Sequence, residues 1–414
     1  MKKTTVLLLC GVLGLCACRK DPETIVYKDA ELSGEAVDVS GFDKGLKKIF
    51  VLNEGGMGSN NATLDFLRIS DGNYVTSAFR KMNPSESAGL GDTGNDIAIH
   101  GDEVWIAVNN SGIVEVLSAK DETEIAAIAV PTPRCIAFDD RYAYVTSWAG
   151  AYATGSYDSG YYSVTDYKNP KGQVYRISLS TKKVEGSVEV GYQPEGIACF
   201  NGKLYVANSG GISSQLPPAY SYDNTVSIID TESFKLAGTQ EVEVNLKQVF
   251  SDGKGTIYVT NLGNFWDVHT ALYAFPASDP SHVQRVGEGT IIKEEALHVS
   301  CAFLLEDTVY CIGTENEFDW SATHKYNVWS VHTEDVSTGK GKIELYPLEL
   351  DGTPYGMAVV KGPGTLDTHY AIVGDAGDYF NPGSVSCYQL DFNENARIWS
   401  VTSGVCPGHF AVWQ

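Results

Sequence analysis

The chain has 414 residues, 43% hydrophobic and 20% charged, with 52 acidic against 30 basic side chains and a formal charge of −22. That length and apolar content can bury a large core, whereas the excess of carboxylates excludes nucleic acid as a partner, because phosphate binding needs basic patches. It also disfavours adsorption to anionic lipid and anionic polymers, and mainly favours solubility.

The first residues, MKKTTVLLLCGVLGLCAC, place two lysines before an apolar run from Val6 to Leu15, with small residues before Cys18. This is a secretory signal pattern, too short for a spanning helix. The ending Leu15-Cys16-Ala17-Cys18 looks like a bacterial lipobox and makes Cys18 the lipidated first residue of the mature chain; the alternative is a plain signal peptide. Removing residues 1–17 takes away two of the 30 basic residues and none of the 52 acidic ones, so 28 − 52 leaves a charge of −24. Residues 18–46 are expected to form a flexible tether, being largely polar and without clear periodicity. No later segment reaches about 18 continuous apolar residues, so the mature chain is expected to be held at a membrane by its lipid alone.

Past the signal, six cysteines remain: Cys135, Cys199, Cys301, Cys311, Cys387 and Cys406. None forms a CxxC pair, so neither zinc nor redox chemistry is expected from them. Cys301 and Cys311 flank the turn at Glu306-Asp307 symmetrically, and are either a disulfide or two buried thiols.

From residue 47 to the end, helical periodicity is nearly absent, and short β-branched and aromatic runs alternate with turn residues. Two aligned families of strand emerge. The first contains NDIAI from Asn95, RCIAF from Arg134, EGIAC from Glu195, KQVFS from Lys247, VSCAF from Val299, YGMAV from Tyr355 and HFAVW from His409. The second contains IFVLN from Ile49, VWIAVN from Val104, AYVTS from Ala143, LYVAN from Leu204, IYVTN from Ile257, VYCIG from Val309 and YAIVG from Tyr370. A third strand usually follows, as in TVSIID from Thr225, and a fourth, more polar one completes the unit, as in VEGSVEV from Val184.

Four antiparallel strands repeated about every fifty residues describe an all-β, seven-bladed β-propeller over residues 47–414. The period exceeds the ~40–45 residues of tryptophan-aspartate repeats, whose dipeptides are missing. The folded part begins with a second-family strand and ends with a first-family strand, so the C-terminal strand is expected to complete the first blade and close the ring. A sandwich with long loops is the competing topology.

In a propeller the connections from second to third strand, and from one blade to the next, lie on one face. Here that face carries the long loops: FVLNEGGMGSNNATLDFL at the start, then WAGAYATGSYDSGYYSVTDYKNPKG from Trp148, SGGISSQLPPAYSYD, LGNFWDVHT, TENEFDWSATHKY and DAGDYFNPG. The opposite turns are short and charged, such as FDDRY, FNGK and SDGKG. Loops rich in tyrosine, tryptophan, glycine, serine and asparagine suit binding, since aromatics offer area with few rotors and small polar groups offer adaptable hydrogen bonds. The competing use of such loops is to pack on one another over the ends of the core.

Candidate ligand-binding residues on this face are Asn53, Glu54 and Asn60 of the first loop, Trp148, Tyr222, Phe265, Trp266, Trp320, Asp375 and Tyr379 of later loops, and Arg134, Tyr192, Tyr355 and His409 of the blade-to-blade connections. Asn109, Asn208 and Asn261 join Asn53 at the end of the second strand in four blades; they either contact ligand or cap strand ends. Of the eight histidines, His298 and His409 are placed to face the channel. No nucleophile elbow, His-Glu-x-x-His or phosphate loop occurs, so no catalytic constellation, metal or required cofactor is expected. Asp375 and Asp378 in DAGD could offer oxygen ligands to calcium, but at a spacing that matches no loop motif.

The VLNEGGMGSNNATL segment, the YVTN and YVAN strands with VSIIDTESF following, and the closing CPGHFAVW together resemble the YncE-like, surface-layer-type propeller lipoproteins of Bacteroidetes, over nearly all of residues 48–414. The resemblance implies a lipoprotein on the exterior of the outer membrane, bound only through its lipid, that captures cobalamin or another corrinoid as a small-molecule ligand and passes it to a TonB-dependent transporter. The charged start from Cys18 to Glu23 is similar to segments that follow the lipid cysteine in surface-exported members. Of the ligand residues, it carries over only the Asn53-Glu54-Gly55 element. Glycan capture and protein docking or adhesion are the other functions open to such a face.

Overall fold

The computed structural model describes residues 32–86, 89–158, 161–210, 222–288, 297–315, 317, 325–337, 342–346, 350, 352–364, 368–390 and 397–414, with backbone alone over most of 152–167. The signal peptide, Cys18, the tether as far as residue 31 and Trp320 lie outside the described residues.

Seven antiparallel sheets make up the seven-bladed β-propeller. From the centre outwards, blade 2 runs Gly94–His100, Glu103–Val108, Ile113–Ser118 and Glu124–Ala129, and this order recurs in every blade. Burial follows position in the sheet. Second strands such as Thr256–Asn261 are buried throughout, because they have a strand on each side and a neighbouring blade on each face. The fourth strand Lys235–Glu241 is almost wholly exposed, and its polar sequence suits a rim.

The core is divided among the seams between blades. Phe50, Leu52 and Leu64 of blade 1 pack on Ile97, Val104 and Ile106 of blade 2. Ile49, Val51 and Leu67, on the other face of blade 1, meet Val360, Ile372 and Val385 of blade 7. Corresponding clusters fill the remaining seams. The alternation of side chains along each strand thus supplies two neighbours, and only a closed ring covers both faces of every blade.

The ring closes where the sequence places the closure. Strand Pro407–Trp413 pairs with Lys48–Asn53, from Lys48 opposite Trp413 to Leu52 opposite His409. At this joint Lys48 and Glu122 form a buried ion pair of 2.7 Å, with the Lys48 ammonium also over the Phe66 ring.

One expectation needs correction. The tether assigned to 18–46 is packed from residue 32 onward: Glu35–Ala36 adds a fifth strand to blade 1, Phe42 is buried against Tyr370, and Asp38 O accepts a hydrogen bond from Trp399 Nε1. Its apolar residues, Leu32, Phe42 and Leu46, are too widely spaced to read as an element, yet Phe42 and Leu46 join the seam between blades 7 and 1 and Leu32 the seam between blades 1 and 2. Of the two readings open for Cys301 and Cys311, the structure has the buried free thiols, because Cys301 pairs with Ile312 and Ala302 with Cys311 across the hairpin, which sends the two side chains to opposite faces.

Candidate functional site

Each inner strand begins at the same face of the disc, and its first residues line the axis. In five blades the residue immediately before the inner strand has a left-handed backbone: Thr93, Thr132, Gln193, Asn245 and Cys406, with φ between 41° and 63°. Such a residue turns the incoming chain sharply, and non-glycine residues adopt it only where the surroundings enforce it. Pro133, Pro194, Pro354 and Pro407 then open four of the strands, and a fixed φ suits the first residue of a strand that donates no ladder bond there.

These turns deliver a polar cluster to the mouth of the channel. Glu54 of the first long loop receives the Tyr355 hydroxyl at 2.7 Å on Oε2 and meets His409 Nε2 at 2.8 Å on Oε1. Gly408 makes this approach feasible: a Cβ there would lie 2.8 Å from the Tyr355 ring and 3.5 Å from Glu54 Oε1. Across the mouth, Arg134 pairs with Glu195 at 2.8 Å, donates to Asn95 Oδ1, and stacks its guanidinium 4.2 Å from the centre of the Trp148 ring. Asp96 accepts the Ile136 amide at 2.8 Å, and Gln248 exchanges two hydrogen bonds with Ala302. Neighbouring inner strands do not pair with each other, so these side chains are what stitch them together.

The carboxylates of the cluster are shifted in opposite directions. Burial acts to raise the Glu54 pKa, but the hydrogen bond and charge of His409, the Tyr355 hydroxyl and the Arg134 guanidinium outweigh it and hold the group below the ordinary carboxylate range. Burial prevails at Asp96, which is raised despite His409, two backbone amides and Arg134. It prevails also at Glu195, against Arg134 and Lys247.

The candidate residues therefore separate into groups. Glu54, Arg134, Trp148, Tyr355 and His409 converge at the mouth, with Tyr379 in edge contact with Tyr355 at 5.8 Å between ring centres. Phe265 and Trp266 project from the rim, 49% and 84% exposed, and Asn60 sits exposed in the first loop. Tyr192 lies under Lys171, and Tyr222 is half-buried.

The four asparagines do not line the mouth, which corrects the expectation of a recurring ligand contact. Asn53 binds Thr63 and Ser403, Asn109 the Pro133 carbonyl, Asn208 Thr225 and Ser227, and Asn261 His269 O and the Ala271 amide. All four are buried at strand ends, where a side-chain amide satisfies backbone or hydroxyl groups that the ladder leaves over. Asp375 likewise receives the amides of Thr353 and Gly377, and Asp378 those of Phe380 and Asn381, so both are turn caps rather than converging calcium ligands.

Asn95 and Asp96 belong to the site although neither is a candidate on sequence grounds. The signal for Asn95 lies in the aligned strands: the first column of NDIAI, RCIAF, EGIAC, KQVFS, YGMAV and HFAVW is polar or aromatic in every one of these six, whereas Asp96 stands in the second column, which is mixed and gives no such signal. The His298 placement is also corrected. Its ring stacks on His269 at 4.5 Å between centres in the seam of blades 5 and 6, away from His409 and Glu54.

No protein-family model and no curated protein sequence matches the chain. Among solved structures it is similar to a putative 6-phosphogluconolactonase from Bacteroides fragilis, at 10% identity and a TM-score of 0.57 over 90% of this chain and 99% of that one. It is also similar to Kuenenia stuttgartiensis hydrazine synthase, at 15% identity and a TM-score of 0.54 over 76% of this chain and 88% of that one. These likenesses concern the propeller fold.

Proposed function

We propose that the chain is a non-enzymatic binding protein, lipid-anchored on the exterior of the outer membrane, whose loop-rich face captures a large nutrient, foremost a corrinoid, for a TonB-dependent transporter. The observation that carries the binding role is where the large apolar side chains meet water. Among the described residues, the most exposed are Phe380 at 86%, Trp266 at 84% and Met57 at 71%, all on second-to-third-strand loops of one face. Phe265 and Tyr379 are on the same set of loops, whereas Ile125, Val184, Leu236, Leu345 and Ile398 are scattered on outer strands. Exposed aromatics concentrated around a polar mouth suit a ligand that offers both a wide apolar face and polar substituents. The choice of a corrinoid, the anchor and the transporter rest on the resemblance of the opening and closing motifs.

Calorimetry of the signal-free chain with cobalamin and cobinamide tests this. Saturable heat together with a concentration-dependent rise in Tm is expected. Absence of both at high ligand concentration rejects the corrinoid, and a glycan array then tests sugar capture on the same face.

A second reading, hydrolysis, is favoured by one specific feature: Glu54, held below the ordinary carboxylate range, and Asp96, pushed above it by burial, share a mouth with His409 and Arg134. Ester or glycoside turnover that disappears in His409→Asn would establish it in place of simple binding.

A further inference from the structure

We propose that His269, His298 and Glu317 form a site for a divalent transition metal of the zinc type, separate from the axial mouth and independent of the binding function above. One ligand atom from each of the three lies within 4.8 Å of the other two. A tetrahedral zinc site with bonds of about 2.0–2.1 Å has ligand atoms roughly 3.4 Å apart, so closing the set takes a shift of about an ångström together with a tilt of the His269 ring out of its parallel stack on His298, because a ring-nitrogen lone pair lies in the plane of the ring. His269, with a side chain 40% exposed, has the room to supply it.

The hydrogen bonding around His298 favours a ligand role. His298 is 3% exposed and directs Nδ1 at the Thr314 carbonyl at 3.0 Å. A carbonyl only accepts, so Nδ1 carries the proton and Nε2 is left with a lone pair, which is how ligating histidines are normally oriented. Glu317 Oε2 stands 3.1 Å from His269 Nδ1 and 3.5 Å from His298 Nδ1, and it also accepts the Thr270 amide. Two imidazoles and a carboxylate form a borderline-soft donor set that suits zinc, cobalt or nickel better than calcium or magnesium, and they leave a fourth position for water or a ligand atom.

The stacking of the two rings is itself informative. Their planes are 7° apart at 4.5 Å between centres, which holds the two imidazoles side by side at the seam next to a single carboxylate. With the His269 ring tilted, a dication bound between them would be shared by all three groups. Such an ion would also tie together three chain segments that meet at this seam: the 262–271 loop bearing Phe265 and Trp266, the start of blade 6 where Val299 N donates to Thr270 Oγ1, and the loop containing Glu317. The net negative charge of the chain raises the local concentration of cations.

The test uses the untagged full chain, stripped with chelator and titrated with Co2+ and then Zn2+. Expected are one Co2+ per chain with visible absorption of tetrahedral nitrogen–oxygen type, its displacement by Zn2+, and a Zn2+-dependent rise in Tm. His269→Ala and Glu317→Gln, both outside the buried core, should each weaken Zn2+ by about 100-fold or more while leaving the metal-free Tm within a few degrees of wild type. Absence of a tetrahedral cobalt spectrum, or Zn2+ binding unchanged in both variants, overturns the site. Loss of corrinoid binding with zinc binding intact would bear on the binding function alone.

Discussion

His409 Nε2 lies 2.8 Å from Glu54 Oε1, joining two residues 355 positions apart and tying the last strand of the chain to its first long loop. This contact, with the Tyr355 hydroxyl on the other oxygen of Glu54, makes the axial mouth depend on ring closure.

The charge on Glu54 should register in the acid limb of stability. Its folded pKa lies below the ordinary 4.5, so the ionised group contributes stability above that value and loses it as pH falls through the lower folded one. Between about pH 5 and pH 3, Tm of the wild type should fall more steeply than that of Glu54→Gln. Parallel curves in a thermal-melt series would contradict the assignment.

Glu115 has the opposite sign. It is buried on the third strand of blade 2, Oε2 has no hydrogen-bond partner, and burial, with Glu124 and Glu86 adding repulsion, pushes its pKa up to about 8. The folded state then holds a proton that the unfolded state releases near 4.5, so this group makes stability decline as pH rises from about 4.5 to about 8. Glu115→Gln should be close to neutral at the low end and stabilising at the high end, by up to a few kcal/mol on ~1.36 kcal/mol per pKa unit. Urea unfolding at the two pH values checks it.

Lys48 and Glu122 are both almost fully buried, and removing one charge strands the other. Lys48→Met should cost about 3–5 kcal/mol, and adding Glu122→Gln should recover part of that loss. Denaturant midpoints for the two variants and the double variant give the coupling directly; additive costs would show that the pair does not act as one.

Exposed aromatics that serve a ligand can be removed without harm to the fold. Trp266→Ala and Phe380→Ala should leave Tm nearly unchanged, since both side chains are mostly in water. Each should weaken corrinoid binding by roughly tenfold, equivalent to ~1.4 kcal/mol. Calorimetry on the two variants decides whether these loops contact the ligand.

Much of the architecture is legible because the repeat is. Every blade repeats a local pattern of alternating apolar residues, and the order of strand types at the two ends allows only one closure. The site is legible by column rather than by residue type: Arg134, Tyr355 and His409 stand out, Asn95 occupies the equivalent position without standing out, and Asp96, one column further on, is not marked by the pattern. The four strand-end asparagines mislead for the same reason, since a repeated position marks a repeated structural need as readily as a repeated contact.

The amino-acid sequence by itself determined the four repeating strands of the blades, the closure and the face that carries the long loops, because each follows from periodicity and loop length within or between adjacent repeats. Only the tertiary structure decided which polar groups are used internally and which converge. Glu54 meets His409 and Tyr355, His269 meets His298, and Phe42 covers Tyr370 across separations that no local pattern encodes. Those meetings depend on the turn before each inner strand and on the radius of the closed ring, which the whole set of seven seams settles together.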